Sequence, residues 1–448
     1  MNRAGRASIT ALVISALSLV TIGTPACSAG SQSPAALPSS PQSPSDHDQR
    51  VIARLEDLKT LREGLAREHA DPFFRTSKAD FSAAADALAS RAADLSDDAW
   101  IVELAKLTAL IGDAHTRLVL VAGKSPCQTS STIRFAALAD GFFVDAAPTD
   151  HLDLLGARLV GINDIPIDDV SRRLRTFMAS ETDADARLVA AAYLKYDHVL
   201  HALGILSTPG TVTYTFCGGR STTGNPASDI SAPRRVAFTP IPDESSWSGA
   251  VLPDPRATPL PPGRQTRKAF YWHEFVDDGR LLLCRYDRCA DMDGKSVSAW
   301  ADEVIADANA RSPRAIAIDL RRNAGGNSGL LHPLINLLRT WKKGDQTRRV
   351  YAIIGPATFS SGVTNALDLR AYAGAILVGE EPGQATGSFG EVRRLRLPNC
   401  GLDVSYATTR RDDPSAPIPV NIDVPAPMTS DAYFAARDPA VEAITSSR

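Results

Sequence analysis

The stretch AIAIDLRRNAGGN, residues 315–327, decides the fold. Its apolar first part has the length and composition of a buried strand, and it gives way to charged residues and then to Gly325 and Gly326. Adjacent glycines after a buried strand let the backbone approach a ligand closely and direct N–H groups at a developing oxyanion. The same residues also fit a tight turn in which Asp319 and Arg321 form a structural ion pair.

Strands and helices alternate on both sides of this stretch. The sequence predicts strands at 281–286, 315–320, 350–354 and 375–378, and helices at 297–310, 330–341 and 361–372. Such alternation indicates a parallel sheet with right-handed crossovers. Functional groups in this kind of sheet lie at the carboxyl ends of the strands, which is where the loops 319–327 and 355–361 are expected.

The second of these loops belongs to GPATFSSGVTNA, residues 355–366, in which Ser360 and Ser361 open a predicted helix. A serine there gains from the helix N-terminus and from neighbouring N–H groups, which stabilise negative charge in acyl transfer. Serine is also a good N-cap residue, so capping stays open as an alternative. A catalytic serine needs a base. His115 in IGDAHTRL, at a predicted helix-to-strand junction, is a candidate.

Two smaller units precede the parallel sheet. Residues 51–118 are rich in Ala and Leu at helical spacing and predict a small helical cap whose last helix ends at Gly112. The run GFFVDAAPTDHLDLLGARLVGINDIPIDDV, residues 141–170, resembles a PDZ-type module, which binds an extended peptide at a sheet edge. An insertion without a peptide groove is the alternative. Residues 220–268 are interpreted mainly as a long connection.

Five motifs carry a family resemblance: DLRRNAGG, TFSSG, VGEEP, LPNCGL and YFAARDPAVEAI, in this order. Together they resemble the catalytic core of the tail-specific (C-terminal-processing) serine peptidases, which is related to tricorn protease and to interphotoreceptor retinoid-binding protein modules. IGDAHTRL and CRYDRC resemble the family's upstream landmarks, so the resemblance runs from Phe81 to Ile444. It implies an α/β fold with a crotonase/ClpP-like ββα-type catalytic core and a parallel sheet, preceded by a small helical cap and a PDZ-like module.

The resemblance also implies a serine-type endopeptidase that acts on peptide or protein substrates near their C-termini. Members with a Ser-Lys dyad carry the lysine in a Gly-Lys-Gly loop that follows the nucleophile. The corresponding stretch here is GEEPGQATGSFGE, and no lysine follows Lys343. The sequence therefore matches the tricorn-like Ser-His subgroup, with Ser360 as nucleophile and His115 as general base.

The same resemblance assigns the remaining site residues. Backbone N–H groups of Ser361 and of Gly325 or Gly326 are expected to hold the oxyanion. The tricorn arrangement also uses a serine just before the histidine, where this chain has Ala114, and a glutamate beyond the nucleophile.

For the acidic partner of His115 we favour Glu391, with Asp113 and Asp423 as alternatives. Two other functions stay open for the fold as a whole. One is a non-catalytic module that binds an apolar ligand or a peptide, and the other is an esterase, because the same nucleophile would cleave esters.

The N-terminus has the pattern of an export signal, since Arg3 and Arg6 precede an apolar stretch at 9–22. That stretch is short for a membrane span. Cys27 follows Thr-Pro-Ala, an approximate lipobox, so membrane attachment through a lipidated Cys27 and ordinary cleavage with free secretion are both open. Residues 28–46 are rich in Ser, Pro, Ala and Gln and predict a flexible linker.

Composition and charge disfavour several classes of partner. A formal net charge of −3 with 22% charged residues disfavours nucleic acid and strongly charged partners. Five further cysteines at irregular spacing give no zinc pattern and no disulfide framework. Cys284 and Cys289 flank a short segment and either form a disulfide or remain separate buried thiols. No phosphate loop, dinucleotide fingerprint or metal cluster stands out, so no cofactor and no metal are expected.

These predictions give the following domain boundaries. They are 1–29 for the signal peptide, 30–46 for the linker, 47–125 for the N-terminal helical domain, 130–220 for the PDZ-like module, 221–267 for the connection and 268–448 for the catalytic core.

Overall fold

A computed structural model of the chain describes residues 45–218, 232–243, 249–251, 259–387, 389–410 and 419–446. The predicted export signal, Cys27 and nearly all of the linker lie outside the described residues and stay predictions. Among the residues that are described, no helix is both long and apolar enough to cross a membrane.

The described part of the chain begins with the predicted helical cap. Its helices are α1 (Asp46–Glu68), α2 (Lys78–Ala89) and α3 (Asp97–Ala109), followed by the short strands β1 (Arg117–Val119) and β2 (Thr129–Ser130). The hydroxyl groups of Ser77 and Ser96 accept backbone N–H groups at the starts of α2 and α3. Helix α3 ends at Ala109, three residues before the predicted end at Gly112, where a φ of +79° suits glycine.

A seven-stranded sheet follows, with helices packed against it. Its region contains β3 (Arg134–Leu138), β4 (Gly141–Pro148), β5 (Arg158–Ile162), β6 (Ile165–Pro166), α4 (Ile167–Leu174), α5 (Asp183–Tyr193), α6 (Asp197–Ala202), β7 (Val212–Cys217), β8 (Arg234–Phe238), β9 (Ile241–Pro242) and β10 (Gly249–Val251), and a 3-10 helix at Thr149–Leu154. The sheet order is β10-β4-β5-β7-β8, with β3 beside β4 and β6 beside β5, while β2 pairs with β9. The stretch at 221–267, interpreted as a connection, therefore contributes three strands.

The predicted parallel sheet forms the second half of the chain. Its elements are β11 (Tyr271–Val276), β12 (Leu281–Tyr286), α7 (Val297–Arg311), β13 (Ala315–Asp319), α8 (His332–Lys343), β14 (Arg349–Ile354), α9 (Ser361–Ala373), β15 (Ile376–Gly379), β16 (Phe389–Arg396), β17 (Asp403–Arg410), β18 (Val424–Pro425), α10 (Ser430–Phe434) and α11 (Pro439–Ser446), with 3-10 turns at Pro262–Arg264 and Ser328–Leu331. The strand order is β11-β12-β13-β14-β15-β18, parallel from β12 onward. The helices and strands predicted between 281 and 378 are confirmed, with ends shifted by one or two residues.

A third sheet joins the two ends of the chain. Strand β1 pairs with β17, and β17 pairs with β16, all antiparallel. The backbone N–H groups of Asn399 and Cys400 also donate to the Asp57 carboxylate in α1. The N-terminal cap is thereby attached to residues far along the chain, a pairing that no local sequence pattern predicted.

The end of β13 is fixed by a buried ion network. Asp319 is fully buried and accepts hydrogen bonds from Arg285 (2.9 Å) and Arg321 (2.7 Å), and Arg321 also pairs with Asp438 (2.8 Å). Burial by itself would raise the pKa of the Asp319 carboxyl, but the two guanidinium groups outweigh it and hold the pKa below its usual range. The Asp319–Arg321 pair considered from the sequence therefore exists, and it anchors the loop that carries Gly325 and Gly326.

The five cysteines of the described chain are free thiols. Cys284 and Cys289 are both buried, so the structure favours the reading of separate buried thiols over a pair. Burial raises the pKa of Cys289 to about 11. Its Sγ lies 3.3 Å from Asn323 Oδ1 and 3.2 Å from Asn365 Oδ1, behind the glycine loop.

Candidate active site

Ser360 occupies a strained position between β14 and α9. Its φ of +50° and ψ of −124° lie in a region that residues other than glycine avoid, and its side chain makes no cap hydrogen bond to the helix. The alternative that Ser360 is simply a helix cap therefore does not describe this structure. A strained serine between a strand and a helix is the geometry of a nucleophile elbow, which presents the hydroxyl at the end of a sheet.

Surrounding hydrogen bonds hold this strain in place. The Ser360 N–H donates to Gln384 Oε1 at 2.7 Å, and the preceding Phe359 N–H donates to the Asn323 carbonyl at 2.9 Å. The Thr358 hydroxyl donates to the Leu320 carbonyl at 2.9 Å. The turn before α9 is thus tied to the end of β13 and to the loop after β15.

The glycine loop lies directly against Ser360. A Cβ added to Gly325 would stand 2.8 Å from the Ser360 Cβ and 3.3 Å from its Oγ, while one added to Gly326 would stand 2.3 Å from the Cys289 carbonyl oxygen. Both glycines also have positive φ, at +113° and +128°. Both positions therefore need glycine, and the close approach to a ligand that the sequence predicted stays a prediction.

Two backbone N–H groups at this point suit an oxyanion. Ser361 is the first residue of α9, and in the part of the chain that the structure describes its N–H and that of Gly326 have no hydrogen-bond acceptor. The Gly325 N–H, in contrast, donates to Asn323 Oδ1 at 2.9 Å. The sequence did not decide whether Gly325 or Gly326 donates to the oxyanion. Gly326 is the one whose N–H suits this role, whereas Gly325 is the one that lies against Ser360.

His115 comes to the same place from the junction of α3 and β1. Its ring packs against Phe359 with centroids 4.7 Å apart, and its Nδ1 lies 3.4 Å from Gln384 Nε2 and 3.5 Å from Asp113 Oδ1. His115 is 7% exposed, and its Nε2 is buried without a partner among the described residues. The structure thus brings Ser360 and His115 to one site, linked by the neighbours that they share.

Asp113 contacts the ring of His115 and is fully buried. Its carboxylate accepts hydrogen bonds from the backbone N–H of His115 at 2.9 Å and from the Thr116 hydroxyl at 2.7 Å. It also lies 3.2 Å from His69 Nε2. Burial would raise the pKa of the Asp113 carboxyl, but the hydrogen bonds from His115 and His69 outweigh it and hold the pKa well below its usual range. Asp113 is therefore ionised at neutral pH, as an orienting partner for a histidine must be.

His69 is a residue that the sequence did not single out. Its Nδ1 accepts the Asp71 N–H at 3.0 Å, which places the ring proton on Nε2, the atom that faces Asp113. The neutral ring of His69 thus donates to the Asp113 carboxylate. Its position at the end of α1, before the sequence motifs begin, explains why no motif pointed to it.

The two other acidic candidates lie in different surroundings. Glu391 is exposed on β16 with a φ of +54°. Asp423 accepts hydrogen bonds from the Arg370 side chain and the Leu377 N–H, both at 2.8 Å. The structure gives Asp113 the contact with the ring of His115, and the preferred assignment of Glu391 stays a prediction.

Gln384 is the second residue that sequence reasoning missed. It is 3% exposed and lies in GEEPGQATGSFGE, just after the VGEEP motif, in a stretch where the sequence pointed only to the lack of a lysine. Its Oε1 accepts the Ser360 N–H, and its Nε2 faces His115 and donates to the Phe389 carbonyl at 3.2 Å. One amide group therefore contacts both the Ser360 backbone and the His115 ring.

Glu181 lies behind His115 and was also missed. Its Oε1 accepts the Ala114 N–H at 3.2 Å, and its Oε2 is buried without a partner in the described chain. Burial, followed by the charge of Asp113, raises the pKa of Glu181 to about 8. The residue belongs to the segment between α4 and α5, outside every motif.

The structure is similar to that of mature CPAF complexed with lactacystin, with a TM-score of 0.59 at 14% identity over 87% of this chain and 96% of that one. A CPAF mutant gives a TM-score of 0.57 at 14% identity, covering 87% and 95% of the two chains. The photosystem II D1 C-terminal processing protease gives a TM-score of only 0.40 at 12% identity, covering 88% and 96%. No protein family and no curated protein matches the chain.

At these identities the similarity to CPAF shows the fold. The chain shares with CPAF a mixed α/β fold with several sheets, which fits the resemblance given by the motifs.

Proposed function

We propose that this chain is an exported serine endopeptidase that cleaves peptide bonds through an acyl-enzyme, with Ser360 as nucleophile and His115 as general base. One observation carries the proposal. A serine in a strained turn, with no capping role, lies against a glycine loop and shares its neighbours with a buried histidine whose Nε2 is unpartnered. Such strain is retained at functional sites because the surrounding hydrogen bonds over-determine it.

Proton transfer follows from the tautomer of His115. With the ring proton on Nδ1, directed at Asp113 Oδ1, the free Nε2 lone pair takes the proton of the Ser360 hydroxyl as Oγ attacks the carbonyl carbon. The same Nε2–H then protonates the leaving amine. Water repeats the sequence on the acyl-enzyme and releases the product acid, which restores the hydroxyl of Ser360.

Negative charge develops on the carbonyl oxygen during both steps. The N–H groups of Ser361 and Gly326 are the donors that suit it, and the N-terminus of α9 adds a favourable dipole. For the acidic partner we propose Asp113 over Glu391, because Asp113 is buried, ionised and in contact with the His115 ring.

The domains that precede the parallel sheet suit a peptidase that holds the end of a substrate chain. The sheet of β3–β8 and β10 with α4 is consistent with the PDZ-like module, whose sheet edge would hold an extended peptide. We likewise propose that the parallel sheet with its ββα repeats is a crotonase/ClpP-like core. Export rests on the N-terminal sequence, with lipid attachment at Cys27 or free secretion as the two destinations.

Hydrolysis of a mixed set of quenched fluorescent peptides by the full-length protein tests the proposal, with simple esters assayed beside them. Ser360→Ala should lower peptide turnover at least ~10⁴-fold, because it removes the nucleophile. Ser298→Ala, at an exposed position of α7, is the matched control, since it makes the same change of side chain away from the site. Ester cleavage without peptide cleavage would favour the esterase, and a rate unaffected by Ser360→Ala would remove Ser360 from the chemistry.

A further inference from the structure

Three potential metal ligands converge behind the proposed base. One ligand atom each from Asp113, His115 and Glu181 lies within 4.8 Å of the other two. Asp113 and His115 are buried, and Glu181 is half-buried. The sequence predicted no metal site, because the first two residues are separated from Glu181 by more than sixty positions.

Two of these side chains carry polar atoms that need a partner. Oε2 of Glu181 and Nε2 of His115 are both buried, and neither has a hydrogen-bond partner among the described residues. The side chain of His115 is only 4% exposed. A buried polar atom without a partner is costly. The proposed chemistry accounts for Nε2 of His115, so Oε2 of Glu181 is the atom that indicates a further ligand at this point.

Other groups already orient the ligands, as in a metal site. The Thr116 hydroxyl donates to Asp113 Oδ2 at 2.7 Å, and His69 Nε2 lies 3.2 Å from the same oxygen. The Ala114 N–H donates to Glu181 Oε1 at 3.2 Å. Such outer contacts fix the direction of ligand atoms and are part of what makes a metal site selective.

A cleft of about 510 Å³ gives an ion a route to these residues. Glu181 lies in its wall together with Gly112, Asp183 and Glu381. Asp183 is paired with Arg175, which leaves the carboxylate of Glu381 to add negative charge on the way to Glu181. Of the three ligands only Glu181 lines the cleft, so it is the residue through which an ion would reach Asp113 and His115.

We propose that Asp113, His115 and Glu181 form a binding site for a Zn²⁺ ion that switches off the base. One imidazole nitrogen and two carboxylate oxygens are a donor set that suits zinc, and the two carboxylates balance its charge. Bonds of about 2.1 Å place tetrahedral ligands about 3.4 Å apart, so atoms that lie within 4.8 Å of one another need to close by at most about 1.4 Å on binding. Water completes the four ligands.

The zinc ion would block the base whichever ring nitrogen of His115 it binds. An ion on Nε2 occupies the lone pair that accepts the proton of Ser360. An ion on Nδ1, the nitrogen 3.5 Å from Asp113 Oδ1, forces the remaining ring proton onto Nε2, which then cannot act as a base. This part of the inference rests on the proposed function, whereas the binding of zinc does not.

Direct binding is measured first, on full-length protein freed of metal with a chelator. Zn²⁺ is titrated in competition with a chromophoric chelator, and one equivalent should bind. Glu181→Gln keeps the shape and the bond from Ala114 but should weaken binding at least ~10-fold, because a charged ligand is lost. Glu381→Gln, in the same cleft, is the matched control and should change the affinity by less than ~3-fold. Equal affinity in wild type and Glu181→Gln would overturn the site.

Labelling of Ser360 by a fluorescent fluorophosphonate then tests the switch. The labelling rate should fall in proportion to zinc occupancy and recover when EDTA is added, with each variant compared with its own rate without zinc. Unchanged labelling at full occupancy would overturn the switch. If zinc binding depends on Glu181 but the protein never reacts with the fluorophosphonate, the proposed function is contradicted and the metal site is not. If Ser360 is labelled but zinc does not bind, the metal site is contradicted and the proposed function is not.

Discussion

The two halves of the candidate site are built in different ways. Ser360, Ser361 and Gly326 lie on consecutive crossovers of one parallel sheet, within a few residues of the strands that position them. His115 and Asp113 lie in the turn between α3 and β1, and their supporting contacts come from distant parts of the chain. One half is local in sequence and the other depends on long-range packing.

This difference shows where the site is vulnerable. The base half is attached to the rest by the pairing of β1 with β17 and by the Ser405 hydroxyl, which donates to the His115 carbonyl at 2.7 Å. Changes around Ser360 should therefore impair the chemistry with the fold intact. Changes around His115 should also alter how the cap is held.

The largest of the expected effects belongs to the base half. Asp113→Asn removes the charge that stabilises an imidazolium and offers an amide that can support the wrong tautomer of His115. We expect turnover to fall by about 10³–10⁴-fold. Asp423→Asn, which disturbs a pair with Arg370 away from the ring, is the control and should stay within a few fold. A larger loss from Glu391→Gln than from Asp113→Asn would restore Glu391 as the acidic partner.

The glycine loop should give the next largest effect. Gly325→Ala puts a Cβ 2.8 Å from that of Ser360, so either the loop or the nucleophile must move. A displacement of this kind costs roughly 10²-fold in kcat. Gly279→Ala is matched, because Gly279 also has positive φ but nothing within 4 Å of an added Cβ. Similar kcat values for both variants would mean that the close approach has no part in catalysis.

Gln384 connects the halves and should matter less. Gln384→Leu keeps the volume but removes the acceptor of the Ser360 N–H and the amide that faces His115. We expect a loss of about 10-fold in kcat with little change in KM, since positioning rather than binding is affected. Gln384→Glu keeps the acceptor and should retain more activity than the leucine variant at the same pH. Equal kcat for wild type and Gln384→Leu would exclude a positioning role.

Glu181 should have the smallest effect on catalysis without metal and a clear one on stability. Its folded pKa of about 8 lies above the ordinary value of 4.5, so the fold binds its proton more tightly than the unfolded chain does. Wild type should therefore lose stability as the pH rises between these two values, by at most about 1.4 kcal/mol per pH unit. Urea unfolding of wild type and Glu181→Gln at pH 5 and pH 8.5, with EDTA present, measures this. Parallel pH profiles would contradict the assignment.

What the sequence could predict follows the same division. The sequence predicted the helices and strands from 281 to 378. It also predicted Ser360 and the loop glycines Gly325 and Gly326 as site residues, because strand, loop and helix are neighbours along the chain. His115 was found through a family resemblance, and its acidic neighbour only as an alternative.

The remaining contacts had no local signal. Gln384, His69 and Glu181 acquire their roles when segments far apart in sequence pack together, and the residues next to them give no periodicity or motif that requires it. The strands β8–β10 were missed for a related reason, since a stretch rich in Ser, Thr and Pro gave no alternating pattern. Long-range pairing supplied what composition did not indicate.

The central claim is that His115 activates Ser360. Fluorophosphonate labelling of full-length wild type, Ser360→Ala and His115→Ala, each shown to be folded by circular dichroism and followed by mapping of the modified peptide, tests it most directly. We predict one adduct on the peptide that contains Ser360, absent in Ser360→Ala and at least ~100-fold slower to form in His115→Ala. A folded wild type that does not label, or a His115→Ala variant that labels at the wild-type rate, would contradict the claim.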